Sequence, residues 1–231
     1  HEAIRVGSDF AKLLENLRRF LSLRRDAGSA APKVEIFYLM TPGNLAELPQ
    51  AVELAAELGA DELVATNLDY VISPGLDALR AYSASPPAQA RRAALDAAAA
   101  AARAAGIGFR PYRLQFREMA VCDLNPLRIL FVASDGSVSP CVYTSLAGPT
   151  EMPRVFEGRP LETPLVSFGN VNQRPLMEIW ESAAYREFRG RLARRVAGAG
   201  LAMLGAAAGA AADEELPAPE ACRTCPKLYG V

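Results

Sequence analysis

The sequence is poor in cysteine, histidine and tryptophan, with four, one and one of each among 231 residues. Four cysteines are too few for the disulfide framework of a secreted domain, and no basic segment followed by an apolar one opens the chain. We therefore expect a cytoplasmic protein. An excess of charge is also missing, since 25 basic and 26 acidic residues leave a net charge of -1. This balance argues against nucleic acid or an anionic membrane surface as a partner.

Long runs of large apolar residues are absent too. The one tract that could be mistaken for a membrane span, residues 196–212, consists almost wholly of alanine and glycine. Such a tract carries little of the leucine, isoleucine and phenylalanine that make insertion favourable, and it is slightly short for a hydrocarbon core of about 30 Å. We expect an alanine-rich surface helix or a loose linker there, and no membrane partner.

Hydrophobic residues make up 51% of the chain, enough for one large or two small globular domains. In the first part, helical and strand-like patterns alternate, which favours parallel strands with helices packed outside. Ser8 is the expected N-cap of the first helix, and Asn44 with Glu47 resembles a capping box for the second. The predicted helices are 9–24, 45–58 and 88–105, and the predicted strands are 34–40, 62–67 and 109–114.

The pattern changes near residues 116–121, where we expect a domain boundary. Asp135-Gly136 lies between two β-rich runs, 127–133 and 137–143, and predicts an antiparallel hairpin. Further on, the sequence predicts a loop at 149–164, a helix at 175–195 with an apolar face, and a low-complexity linker at 196–220.

The four cysteines, Cys122, Cys141, Cys222 and Cys225, form one pair around the predicted hairpin and one Cys-x-x-Cys pair near the end. Four soft thiolates can ligate a 4Fe-4S cluster or a tetrahedral zinc ion. The spacing leaves both open, together with the simpler interpretation of four unrelated buried thiols. A thioredoxin-like role of the late pair is disfavoured, because it follows a proline-rich stretch rather than a strand.

Several ordered motifs around these cysteines, spread over about 110 residues, resemble the SPASM/twitch auxiliary domain of radical S-adenosylmethionine (radical SAM) enzymes. The segment Glu2-x-x-Arg5-x-Gly7 and the stretch from Asn44 to Asp61 resemble the second half of the partial barrel in the same enzymes. The SPASM/twitch motifs are Cys122-x13-Gly136-x4-Cys141, Phe168-Gly169-Asn170-Val171, Met177-Glu178-Ile179-Trp180, Tyr185-Arg186-Glu187-Phe188-Arg189 and Cys222-Arg223-Thr224-Cys225-Pro226.

The resemblance implies an α/β fold: the C-terminal half of a partial (β/α)6 barrel at residues 1–118, then a small α+β SPASM/twitch domain with a β-hairpin at 119–231. The Cys-x3-Cys-x2-Cys loop that holds the catalytic cluster in this family does not occur in the sequence. We therefore expect a C-terminal portion of a longer enzyme, inactive by itself, with an exposed edge on its half-barrel.

The resemblance also implies cofactors and site residues. A full SPASM domain would continue the late pair with further cysteines, whereas four ligands suit the single, fully ligated auxiliary 4Fe-4S cluster of the twitch type. S-adenosylmethionine and a second 4Fe-4S cluster are expected in the full-length protein. Arg5, Asn44 and Asn67 are the candidate S-adenosylmethionine contacts, although a surface salt bridge for Arg5 and a helix cap for Asn44 are plain alternatives.

Two functions remain open at this point. In the first, the auxiliary cluster transfers electrons during radical modification of a peptide, sugar or cofactor precursor, with flavodoxin or ferredoxin as reductant. In the second, the four cysteines bind zinc or an iron-sulfur cluster in a non-catalytic module for protein interaction. The arginine-rich run 186–195 shares its helix with glutamates and is expected to be a solvated face rather than a nucleic-acid site.

Overall fold

The computed structural model describes residue 2 and residues 5–145, 151–207 and 216–231, without the side chains of 205–207. The chain divides into two units. The first comprises His1–Leu68 and Pro87–Tyr112, and the second comprises Asp69–Pro86 and Arg113–Val231.

The first unit is built on a parallel three-stranded sheet of β1 (Glu35–Met40), β2 (Glu62–Asn67) and β3 (Gly108–Pro111), paired in that order. The register pairs Glu35 with Glu62 and Met40 with Asn67, so the carboxyl ends of β1 and β2 meet at one edge. The alternation of strands and helices in the sequence is thereby confirmed as a mixed α/β fold. Its elements are α1 (Phe10–Asp26), β1 (Glu35–Met40), α2 (Leu48–Leu58), β2 (Glu62–Asn67), α4 (Gln89–Ala105) and β3 (Gly108–Pro111).

Small and branched side chains form the core of this unit. The central strand β2 buries Leu63, Val64 and Ala65 completely, and the alanine-rich helix α4 buries Ala98. Because alanine adds only a methyl group, α4 can approach its neighbour α2 closely. Helix α2 ends where Gly59 adopts a left-handed conformation with φ 85°, as its place in the sequence predicts.

The N-cap of α1 differs from the prediction by one residue. Asp9 rather than Ser8 occupies it, and the carboxylate of Asp9 accepts a hydrogen bond of 2.9 Å from the backbone N–H of Lys12. The hydroxyl of Ser8 instead donates to the carbonyl oxygen of Arg5. Aspartate and serine are equally good caps, so the sequence alone does not decide between adjacent candidates.

The second unit contains two small antiparallel sheets. In the first, β4 (Phe131–Val132), β5 (Ser137–Ser139) and β8 (Gly169–Asn170) pair in this order, so the hairpin at Asp135-Gly136 is confirmed but is shorter than predicted. A core of Val138, Ile179 and Tyr185 packs beside it. The ring of Tyr185 stacks on Phe168 with centroids 4.1 Å apart.

The second sheet corrects the prediction of a loop at 149–164. Strands β6 (Glu151–Phe156) and β7 (Arg159–Pro164) form a six-pair hairpin. Its two-residue turn, Glu157-Gly158, has φ values of 50° and 77°, which suit the twist of a tight hairpin. Its prolines are tolerated because both strands of a two-stranded ribbon are edge strands.

The helical segments of this unit also differ from expectation. A short helix, α3 (Pro74–Asp77), which the sequence patterns do not predict, lies between β2 and α4 in the sequence. The predicted helix 175–195 is two helices, α5 (Leu176–Trp180) and α6 (Ala183–Ala207), the second of which begins after Ser182. Helix α6 continues into the predicted linker, of which residues 208–215 lie outside the described part of the chain. Among the helices that the structure describes, none is both long and apolar enough to cross a membrane.

Candidate metal centre

All four cysteines line a single cavity in the second unit. All are free thiols: Cys141 and Cys225 are buried, and Cys122 and Cys222 are half-buried. Apart from them, the wall is mostly apolar. The remaining lining residues are Leu124, Pro126, Thr144, Phe188, Leu192, Ala221, Lys227 and Leu228.

Tight local turns bring the thiols to this cavity. Cys141 stands two residues beyond β5, immediately before a 3-10 turn, Val142–Thr144. Cys122 begins a separate turn in which its carbonyl oxygen accepts a hydrogen bond of 2.9 Å from the N–H of Asn125. The hairpin of β4 and β5 lies between Cys122 and Cys141 in the sequence, and both cysteines reach the same cavity.

The late pair is positioned by two successive 3-10 turns. The turn Glu220–Cys222 ends at the first thiol, and the turn Pro226–Tyr229 begins directly after the second. The N–H of Cys225 donates a hydrogen bond of 3.0 Å to the carbonyl oxygen of Cys222. This closes the Cys-x-x-Cys segment so that both sulfur atoms face the cavity.

Burial and the neighbouring thiols shift the pKa of three of the four cysteines that line the cavity. Burial, followed by the nearby Cys225 thiol, raises the pKa of Cys122 to about 11. Burial and then the other three thiols raise the pKa of Cys222. Burial also raises the pKa of Cys225, although the positive charge of Arg154 opposes it. At neutral pH Cys122, Cys222 and Cys225 are therefore protonated, and a metal centre must displace those protons when it binds.

Two cations that the sequence interpretation missed lie beside the thiols. Lys227 lines the cavity and pairs with the Asp69 carboxylate at 2.7 Å, which also accepts a hydrogen bond of 2.7 Å from the Tyr143 hydroxyl. Arg154, on β6, is fully buried. Lys227 could have been suspected from its place two residues after Cys225, but nothing in the sequence distinguishes Arg154 from the other arginines.

Of the other predicted site residues, Asn44 and Asn67 stand near the carboxyl ends of β1 and β2. Asn67 is the last residue of β2 and is only 4% exposed. The Asn44 side chain accepts a hydrogen bond from the N–H of Thr41 at 2.7 Å and donates one to the carbonyl oxygen of Leu39 at 2.9 Å. The predicted capping box is thus wrong, since Asn44 stabilises the loop before the helix and caps nothing with its side chain.

Arg5 lies apart from these asparagines in sequence, in the turn that precedes α1. It is exposed, and its carbonyl oxygen accepts the N–H of Ser8 at 3.0 Å. Its candidate role as an S-adenosylmethionine contact therefore stays a prediction, as do those of Asn44 and Asn67.

The comparisons with known proteins agree with this site. A family model described as an iron-sulfur cluster-binding domain, SPASM, matches residues 122–226, the segment that contains all four cysteines. The chain is also 25% identical over 184 residues to the tungsten-containing aldehyde ferredoxin oxidoreductase cofactor-modifying protein of Pyrococcus furiosus. That match covers 76% of this chain but 47% of the relative, so the chain spans about half of the relative's length. Residues 122–226 therefore match the SPASM iron-sulfur cluster-binding domain, which confirms the resemblance of this chain to radical SAM/SPASM proteins.

Proposed function

We propose that this chain is the C-terminal portion of a radical SAM/SPASM-type enzyme and that Cys122, Cys141, Cys222 and Cys225 ligate one auxiliary 4Fe-4S cluster. The observation that carries the proposal is the convergence of all four free thiols on one apolar cavity of a SPASM domain. Thiolates are the usual ligands of such clusters, and four of them occupy one coordination position on each of the four irons.

A single zinc ion is the alternative centre, because four thiolates can also bind it tetrahedrally. The match of residues 122–226 to an iron-sulfur cluster-binding domain supports the cluster instead.

Electron transfer is the proposed role of the centre. When bound, a fully ligated 4Fe-4S cluster supplies one-electron transfer rather than an open iron for substrate. The protein's own residues position the four thiolates and exclude water with apolar side chains such as Phe188, Leu192 and Leu228. A flavodoxin or ferredoxin is the proposed reductant, and the cytoplasm, where thiols remain reduced, is the proposed location.

The first unit is proposed to be part of a partial barrel that binds S-adenosylmethionine. Three parallel strands with helices between them are compatible with such a barrel, and β1 is an edge strand on which Phe37 is 62% exposed. Further strands pairing with β1 would cover this edge. Arg5, Asn44 and Asn67 remain the proposed contacts, the two asparagines because ligands bind at the carboxyl ends of barrel strands.

The substrate class that we propose is a cofactor precursor. Peptides and sugars are the other classes expected from the family resemblance, but the relative from Pyrococcus furiosus is named as a cofactor-modifying protein. Its identity of 25% over 184 residues makes its substrate class the preferred one for this chain.

The test is anaerobic reconstitution of the chain with iron and sulfide, followed by metal analysis, visible absorption and electron paramagnetic resonance. We expect about four irons per chain and broad absorption at about 400 nm. Cys141→Ala should abolish both, whereas Ser139→Ala, at a buried position two residues earlier, should retain both. Colourless protein that holds one zinc per chain after the same treatment would instead identify a structural metal module.

A further inference from the structure

Arg154 is a buried cation whose contacts reach the cysteine loops. Its residue is 2% exposed, in the middle of β6 opposite Leu161 of β7. Arginine almost never occupies such a position without strong compensation, because an uncompensated charge loses several kcal/mol of hydration in the protein interior.

The hydrogen bonds of Arg154 all reach segments that carry cluster ligands. One terminal nitrogen, Nη1, donates to the carbonyl oxygen of Ala221 and to the hydroxyl oxygen of Thr224, each at 3.2 Å. The other, Nη2, donates to the carbonyl oxygen of Tyr143 at 3.4 Å. Ala221 directly precedes Cys222, Thr224 directly precedes Cys225, and Tyr143 follows Cys141 by two residues. One planar guanidinium thus connects two cysteine-bearing loops, that of Cys141 and that of Cys222 and Cys225.

These contacts satisfy hydrogen bonds but leave the charge without a counterion. Among the described residues, no carboxylate lies within ion-pair distance of Arg154, and its buried Nε atom donates to no acceptor. The neighbouring buried cations differ in this respect. Arg195 pairs with Glu118 at 2.8 Å, and Lys227 pairs with Asp69 at 2.7 Å.

We infer that Arg154 is a positioning residue that connects the cysteine loops and supplies the counter-charge of the cluster, thereby raising its reduction potential. The inference rests on the proposed function. Four thiolates give a 4Fe-4S centre a net negative charge, and the centre becomes more negative when it accepts an electron. A fixed positive charge nearby therefore stabilises the reduced form more than the oxidised one, because net charge and surroundings set the potential of such clusters.

The test compares reconstituted wild-type protein with Arg154→Gln, Arg154→Lys and Arg195→Gln. The midpoint potential is measured by redox titration with electron paramagnetic resonance detection, and iron content and far-ultraviolet circular dichroism are recorded in parallel. We expect Arg154→Gln to disfavour reduction at least tenfold, a shift of 59 mV or more to negative potential for one electron. Arg154→Lys should remain near the wild-type value because it keeps the charge.

Arg195→Gln is the matched control. It removes a buried arginine of the same domain whose charge is already compensated by Glu118, which is exposed enough to remain hydrated. An Arg154→Gln shift no larger than that of Arg195→Gln, with the cluster intact, would overturn the inference and leave the proposed function standing. Failure of the wild type to hold a cluster would overturn both.

Loss of the cluster is also informative. If Arg154→Gln loses the cluster and Arg154→Lys retains it, with native circular dichroism in both, the positive charge is required and the inference is supported. If both variants lose it while remaining folded, the hydrogen bonds of the guanidinium hold the loops and the counter-charge role is contradicted.

Discussion

The Thr144 hydroxyl oxygen lies 3.7 Å from the Cys141 sulfur and 3.0 Å from the Cys141 carbonyl oxygen. A hydroxyl has one proton, so it donates to one of these acceptors at a time. With Cys141 as a thiolate, the sulfur becomes a charged acceptor, and hydrogen bonds to a charged partner are the stronger ones. Thr144 is 3% exposed, so water does not compete for the proton.

Thr144→Val is therefore expected to lower the reduction potential of the proposed cluster without reducing its iron content. Valine has the same shape but no hydroxyl, and hydrogen bonds to ligating sulfur favour the more negative, reduced form of a cluster. Redox titration of the reconstituted variant measures the effect. Thr144→Ser is the control that keeps the hydroxyl; equal potentials for valine and wild type would show that the hydroxyl serves the backbone alone.

Gly136→Ala is expected to destabilise the second unit by about 2 kcal/mol or more and to reduce iron incorporation. Gly136 has φ 85°, and a Cβ atom there would lie 2.5 Å from side-chain atoms of both Asn170 and Asn172. Left-handed strain of about 1 kcal/mol is thus joined by a steric clash in the hairpin that leads to Cys141. Urea unfolding and iron analysis measure the two effects.

The second hairpin provides the comparison. Gly158 has a similar φ of 77°, but the nearest atom to a Cβ atom added there would be 4.0 Å away. Gly158→Ala is therefore the comparison variant. We expect backbone strain alone to lower the free energy of unfolding of this variant by about 1 kcal/mol, and we expect it to retain its iron. Equal losses in both glycine variants would contradict the importance of the asparagine contacts.

Sequence patterns predicted those parts of the fold that depend on local chemistry. The strand 62–67 and the end of α2 at Gly59 follow from apolar patterning and from the left-handed freedom of glycine. The gathering of the four cysteines agrees with the order of the motifs, which resembles that of the SPASM/twitch domain.

The parts that could not be predicted depend on tertiary packing. Prolines at 153, 160 and 164 hide the strand pattern of β6 and β7, because proline disfavours strands except at edges, and only the folded ribbon shows that both strands are edges. The burial of Arg154 could not be predicted from the sequence either. Its burial follows from the packing of that hairpin on the cysteine loops, which no local pattern encodes.

Asp61→Asn is expected to destabilise the first unit by about 1 kcal/mol at neutral pH. Asp61 accepts hydrogen bonds from Arg24 at 2.6 Å and from the N–H of Val34 at 2.7 Å. These bonds, that of Arg24 first, lower the pKa of Asp61. Glu187→Gln is the control, because its pair with Arg194 is exposed on both sides and should contribute almost nothing.

The pH dependence follows from the direction of that shift. With a lower pKa in the folded state, the carboxylate contributes its full stabilisation above the unfolded pKa of about 3.9, and loses it as the pH falls through the folded pKa. The difference in urea midpoint between wild type and Asp61→Asn should therefore be constant from neutral pH to about 5 and shrink below about 4. A difference independent of pH would show that the charge of Asp61 does not matter.

Arg189→Met is expected to destabilise the second unit by about 2 kcal/mol and to alter tryptophan fluorescence. The Arg189 guanidinium carbon lies 3.7 Å from the Trp180 ring centroid and 4.8 Å from that of Tyr185, and Nη1 donates to the carbonyl oxygen of Trp180 at 2.6 Å. Such a half-buried cation–π contact with a charged hydrogen bond combines two stabilising effects of about 1 kcal/mol each.

Trp180 is the only tryptophan, so a change of intrinsic emission reports this contact directly. The stability and emission of Arg189→Lys should lie between those of the wild type and of Arg189→Met. Lysine keeps the charge but loses the planar group that stacks on the indole. Arg186→Met, at an exposed position on the same helix, should change neither emission nor the unfolding midpoint. If Arg189→Met behaves like Arg186→Met, apolar packing of Trp180 and Tyr185 alone holds α5 against α6, and the arginine is dispensable for the SPASM domain.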